Sequence, residues 1–305
     1  MTKEMRSVLA LILMVLALTG CHLKKEPLGS KENPIKLHFV PSVEAKVLED
    51  NSRLFKKYLE ENTPYHYSIT IPQSYITVVE AFGTKRADIS AMNTFGYVLA
   101  HDRYGAQARM TVLRHGSATY QAQFLAKAGS GLTKLEDLAG KKLAFVDPAS
   151  TSGYLLPLKA LHDKGIRPKE TVFAMKHDSV VSMIYQGQVD AGATFYSPPA
   201  DGKIDDARRL VLRQYPDVED KIRIITLTEA IPNDPIVFRK DIPQEVADSV
   251  ISAFMKFIET PEGKTAFRNI YGVTDLQLAT DSDYDVVRQL LALRDRESQN
   301  SKKTN

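Results

Sequence analysis

Cysteine occurs once in the 305 residues and tryptophan not at all. A single thiol excludes an internal disulfide framework and a cysteine-rich metal centre. Seven histidines are present, none in an H-x-x-x-H or H-E-x-x-H pattern. The chain is therefore read as having no metal site and no cofactor. An excess of one charge is also missing: 40 Lys and Arg stand against 37 Asp and Glu, a formal charge of +3. That is too little for a nucleic-acid or anionic-membrane footprint, and basic and acidic residues are interleaved as on a solvated surface. No apolar run is long enough to span a bilayer. VLALILMVLAL, from Val8 to Leu18, would rise only about 16 Å as a helix against a hydrocarbon core of ~30 Å.

The same short run has the length of a signal-peptide h-region, preceded by Lys3 and Arg6, with Glu4 an unusual intrusion. Leu18-Thr19-Gly20-Cys21 resembles a bacterial lipobox, in which the cysteine is acylated and becomes the first mature residue. Cys21 is either that lipidation site or a stray thiol; its place directly after Gly20 favours lipidation. Acylation holds a chain at a membrane surface without a spanning helix. Cleavage before Cys21 would remove two basic and one acidic side chain, so the charge balance barely changes.

Residues 1–20 are thus read as a signal peptide and 21–34, rich in Lys, Glu, Gly, Ser and Pro, as a flexible lipidated tether. The body then alternates strand and helix patterns. Strands are expected at Ile35–Val40, Tyr65–Ile71, Ala87–Ala91, Ala122–Ala126, Lys142–Val146, Thr171–Met175 and Ala191–Phe195. Helices are expected from Val43 to Leu59 and at Tyr75–Phe82, Tyr97–Tyr104, Tyr154–Lys164, Ser179–Gln186, Gln244–Glu259, Pro261–Tyr271 and Asp283–Arg294, and the tail 298–305 reads as disordered. This rhythm predicts an α/β protein with largely parallel sheets. Length and order suggest two α/β lobes with a hinge and a ligand cleft between them. Lobe 1 would take 35–120 plus 235–297, and lobe 2 would take 121–234. The extended runs Tyr120–Lys127 and Ile231–Phe238 are the candidate hinge crossovers.

Three segments carry chemistry. Asp147-Pro148-Ala149-Ser150-Thr151-Ser152-Gly153 joins an apolar strand to a helical run. Hydroxyls there can donate to an anion, and the first-turn amides and helix dipole point the same way. By itself the segment is equally an ordinary helix cap. His177 precedes a helix beginning at Asp178-Ser179, and it could donate to an oxyanion or simply sit in a loop. Asp234 lies in the Pro-bounded run Ile231–Pro235, where a turn aspartate is the plain reading.

Taken in order, eight runs resemble the phosphate/phosphite/phosphonate ABC-transporter binding proteins. They are YITVVEA (75–81), ADIS (87–90), GYVLA (96–100), LEDLAGK (135–141), DPASTSGYLLP (147–157), HDSVV (177–181), VDAG (189–192) and IPNDP (231–235). The likeness spans roughly Ile35 to Pro243, and the S-T-S-G run is its most specific part. It implies that Ser150, Thr151 and Ser152 hold the phosphonyl oxygens, that Tyr75 reaches the ligand, and that His177 and Asp234 complete the pocket. It also implies an α/β fold of the type II periplasmic-binding-protein kind, a small phosphorus oxyanion as ligand and an ABC permease and ATPase as partners. Such a receptor is expected to be a monomer, joined to the membrane only by its lipid.

The chain departs from the phosphonate-specific members. Their glutamate for a substrate ammonium has no counterpart in Ala193–Pro199, and an aromatic of the first lobe is replaced by Met92-Asn93-Thr94. That argues against 2-aminoethylphosphonate and for phosphate, phosphite or a phosphonate with an uncharged tail. Asn93 stands as a further candidate contact, and Tyr196 either closes that end of the pocket or only packs. Two rivals are a receptor for a sensor system and a hydrolase using Ser150 or Ser152 with His177 and Asp234. The second lacks a G-x-S-x-G elbow.

Overall fold

The computed structural model describes residues 26–200 and 202–289, so the signal segment, Cys21 and the polar tail 298–305 fall outside the described residues. The tether expected at 21–34 is ordered at its body end. Gly29, at φ +90°, bonds to Asn33 and accepts from the His66 amide at 2.8 Å, while Leu28 packs on the core. Polar composition concealed a glycine turn that locks onto the neighbouring strand.

The first unit begins β1 (Ile35–Phe39), α1 (Ala45–Asn62), β2 (Tyr67–Thr70), α2 (Tyr75–Gly83), β3 (Ile89–Ala91), α3 (Thr94–Tyr104) and β4 (Gln107–Leu113). The second contains β5 (Thr119–Lys127), β6 (Lys142–Phe145), α4 (Leu156–Asp163), β7 (Glu170–Phe173), α5 (His177–Tyr185), β8 (Ala191–Tyr196), α6 (Val218–Lys221) and β9 (Ile222–Pro232). The chain then returns to the first unit through β10 (Pro235–Phe238), α7 (Gln244–Glu259), α8 (Pro261–Tyr271) and β11 (Asp275–Leu278). Past β11 a 3₁₀ turn at Asp281–Tyr284 runs into helix through 289, and the rest of the helix expected to Arg294 is not described.

Helix α1 illustrates the local logic. Leu48, Phe55 and Leu59 repeat on one buried stripe, Lys and Glu occupy the outside, and Thr63-Pro64 ends it. Phe55 packs edge-on against Phe254 with centroids 4.5 Å apart, and also meets Phe257 and Phe267, which fastens α1 to α7 and α8. A second body of buried residues continues through both units, from Val79, Phe82 and Phe95 to Val146, Leu155 and Val180.

The first sheet has the order β11-β4-β10-β3-β1-β2 and the second β7-β6-β8-β5-β9. Both are mixed. Parallel pairing is confined to β1 with β2 and β3, and to β6 with β7 and β8, while β4, β5, β9, β10 and β11 pair antiparallel. The largely parallel sheets expected from the sequence are corrected by strands that lie beside the chain crossings and run back against their neighbours.

The crossings are also shorter than expected. Residues 120–127 belong to β5, bonded on both sides to β8 and β9, and 231–238 divides between β9 and β10. The chain passes between sheets at Arg114–Ala118 and again at Asn233–Asp234. The two links lie side by side, with the Asn233 amide donating to Ala118 O at 2.8 Å and its side chain to Ser117 O at 2.7 Å.

Candidate ligand-binding site

The S-T-S-G segment lies where β6 ends and its helix begins, at the carboxyl end of a parallel strand. Asp147 shapes the turn, its Oδ1 accepting from the Ala149 amide at 2.7 Å and its carbonyl from Ser150 at 2.8 Å. Ser150 caps the helix by accepting from the Gly153 amide at 3.1 Å. Thr151–Leu155 form a π-type turn before α4, with Pro157 in the first turn of α4, where a missing N–H costs little. Gly153 is dictated by contact: a Cβ there would overlap the side chain of Val146.

Thr151 is fully buried and its hydroxyl faces the other unit. Its Oγ1 accepts from Asn93 Nδ2, Thr94 Oγ1 and the Phe95 amide, each at 3.0 Å, and Asn93 Nδ2 also donates to Ala149 O at 2.7 Å. Thr151 and Asn93 therefore join the units as well as lining the space between them. A second bond across the gap runs from the His177 amide to Ser42 O at 3.2 Å.

Around this junction lies a cavity of about 50 Å³, lined by Tyr75, Asn93, Ser150, Thr151, Ser152, His177 and Asp234 among others. Seven of the eight ligand contacts expected from sequence thus meet in one place. Tyr196 does not line it. Residues alternate faces along β8, and Phe195 is the one that turns inward, its ring edge-on to His177 at 5.0 Å.

Burial dominates the electrostatics. It pushes the Tyr75 phenol well above its ordinary range, with the Asp147 charge adding to the effect. It raises the Asp147 carboxyl in the same way. His177 starts α5, is 5% exposed, and has a buried Nδ1 without a partner. Its pKa falls to about 3, first through burial and then through the nearby Arg114 charge, so the imidazole is neutral at physiological pH.

Arg114 and its surroundings were absent from the residues picked out by sequence. Its Nη2 donates to Asp234 Oδ2 at 2.8 Å, Nη1 to Asn233 Oδ1 at 2.8 Å, and Nε to Tyr271 O at 2.9 Å. Its guanidinium carbon lies 5.0 Å from the centre of the Tyr120 ring. Asp234 Oδ1 is buried and has no partner. With Asp234 held by Arg114 and Ser150 spent on its cap, Ser150, His177 and Asp234 form no proton-relay chain of the hydrolase type.

A family profile described as ABC transporter, phosphonate, periplasmic substrate-binding protein matches residues 37–284. The chain belongs to this family. Among its relatives, the phosphate-import protein PhnD of Mycolicibacterium smegmatis is 29% identical over 279 residues, 84% of each chain. The phosphonates-binding periplasmic protein of Escherichia coli is 25% identical over 234 residues, covering 75% of this chain and 67% of its own. In structure, a binding component of a Pseudomonas aeruginosa ABC phosphonate transporter superposes with a TM-score of 0.75 at 20% identity, covering 89% of this chain and 88% of that one. A Prochlorococcus marinus protein solved with methylphosphonate gives 0.73 at 18%, covering 84% and 96%. The fold is thus the two-lobed type II periplasmic-binding form that the resemblance implied.

Of the residues around Asp234, Arg114 and Tyr120 had one readable sign, since they lie beside or within a run read as a crossing; Tyr271, at the end of α8, had none. Their convergence depends on pairing between segments more than 100 residues apart.

The buried imidazole makes stability pH-dependent. The unfolded His177 binds a proton below about pH 6.5 and the folded one only near 3, so stability falls as pH drops through that window. Between pH 7 and pH 5 this residue should cost ~2 kcal/mol. Urea unfolding of His177→Gln should show a drop smaller by that amount; an unchanged drop would contradict the assignment.

Proposed function

We propose that this protein is a lipid-anchored receptor that captures a small phosphorus oxyanion (phosphate, phosphite or a phosphonate with an uncharged tail) for an ABC importer. The observation that carries the reading is the meeting of S-T-S-G, Tyr75, His177 and Asp234 around one cavity. A volume of about 50 Å³ holds roughly three or four waters, close to one tetrahedral group of five heavy atoms.

Each group has a role in this reading. Ser150 accepts from the Gly153 amide and its hydroxyl bonds the Tyr75 phenol, so that a ligand oxygen would meet the two hydroxyls together. Ser152 and Tyr75 offer further hydroxyls, and the first turn before α4 adds helix-end amides. Neutral His177 gives one N–H without the cost of burying a second charge. Asp234 Oδ1 is a buried acceptor without a partner, and a carboxylate beside an anion is favourable only if the ligand brings a proton. Monoprotonated phosphate or phosphonate carries a P–OH; sulfate at neutral pH does not. Closure of the two lobes over the ligand would bring the Thr151 contacts together as the hinge links bend.

Calorimetric titration with phosphate, phosphite, methylphosphonate and sulfate tests this directly. One phosphorus oxyanion should bind, and Ser150→Ala or His177→Ala should weaken it roughly 10–100-fold. Silence across the panel would refute the receptor reading. Asp234→Asn, by replacing the acceptor with a group that can also donate, should let sulfate bind measurably; unchanged rejection would remove the proton-sensing role of Asp234. Cys21→Ser should move the protein from the membrane fraction to the soluble one on cell fractionation, and continued membrane retention would rule out the lipid anchor.

A further inference from the structure

Asp234 is the only acidic residue among those lining the cavity, and it already has a cation. The side chain of Arg114 is 8% exposed, and its three nitrogen positions end on Asp234, Asn233 and the Tyr271 carbonyl, with the Tyr120 ring over its face. A guanidinium fixed on every side cannot swing away to make room for another positive group. Arg209, paired with Asp205 at 3.2 Å, is a second cation in the cavity wall.

We propose that Arg114 is a specificity-determining residue: a resident cation on Asp234 that makes the site reject oxyanions with an ammonium tail and accept those whose remaining substituent is neutral. The proposal rests on the oxyanion reading above and assigns a residue of this chain to the preference for an uncharged tail. The physical ground is the asymmetry of the Asp234 carboxylate. Oδ2 takes Arg114 and Oδ1 is empty-handed. A neutral O–H can donate to Oδ1 at no electrostatic cost. An ammonium there would stand one carboxylate away from the guanidinium, in a water-poor space where like charges are weakly screened.

The decisive pair of probes is ethylphosphonate and aminomethylphosphonate, equal in heavy atoms and differing only in methyl against ammonium. Their dissociation constants would be measured by calorimetry on the mature protein, with phosphate, phosphite and methylphosphonate alongside. The wild type should prefer ethylphosphonate by about 100-fold, and Arg114→Met should shrink that ratio about tenfold or more, because Asp234 is then free to pair with the ammonium. Arg114→Lys keeps the charge and should keep the rejection. Arg114→Met combined with Asp234→Asn should lose whatever the single variant gained. If Arg114→Met does not fold, as judged by circular dichroism, Arg114→Gln carries the same expectation, since its amide replaces some hydrogen bonds without the charge.

An unchanged ratio in the folded Arg114 variant overturns the proposal. So does a wild type that binds both probes equally, or one that binds phosphate while excluding ethylphosphonate, since size would then set the limit. A wild type that binds no phosphorus oxyanion at all instead refutes the receptor reading.

Discussion

The ion pair between Arg114 and Asp234 stands at the point where the two connections between the sheets run side by side. Arg114 leaves the first sheet just after β4, and Asp234 comes back to it just before β10. Their 2.8 Å contact, with Asn233 bonded to both links, fixes how the chain crosses. It also gives the cavity its charge pattern and leaves one buried carboxylate oxygen without a partner, while the Arg114 charge adds to the burial that lowers the His177 pKa. A buried pair of this kind adds little net stability compared with apolar packing, but losing one partner leaves an uncompensated charge, so the two residues depend on each other. The rest of the site is arranged around that constraint: hydroxyls and amides on the far wall, one neutral imidazole, and apolar side chains between.

Across the cavity, the fold solves a different problem. The polar end of a helix has to face a partner or a ligand, and here the segment from Ser150 to Gly153 does part of each. Ser150 closes its own turn, Gly153 permits the close approach of Val146, and Thr151 accepts three donors from the opposite unit. The hydroxyls of Ser150 and Ser152 meet the phenols of Tyr75 and Tyr120 in the cavity wall. One short sequence therefore serves capping, interlobe contact and the lining of the cavity.

Much of this was legible in the sequence. α7 and α8 have the expected bounds, because apolar spacing, Pro243 before α7 and Pro261 at the start of α8 fix them locally. The S-T-S-G segment, His177 and Asp234 were readable as a series of motifs, and they do share a cavity. Arg114 was not, since a single arginine after a strand has no local pattern; its meaning comes from Asp234, 120 positions away. Strand β9 has Ile222, Ile224, Thr226 and Thr228 at alternate positions, a strand signal, but extended runs at both edges read equally well as connections. Tyr196 failed for a different reason. In a strand, one position decides which face a ring occupies, and the sequence around Phe195-Tyr196 holds two aromatics in succession.

The three donors on Thr151 Oγ1 carry a consequence for timing. They connect the lobes through residues that also line the cavity. Where two lobes close over a ligand, the escape rate is set by how often the walls part, while the arrival rate is set by the open form. Such a protein can hold its cargo for long residence times with only ordinary hydrogen bonds to it. A docking partner that pulls α3 away from Thr151 would then unload the cavity without competing for a single atom of the cargo.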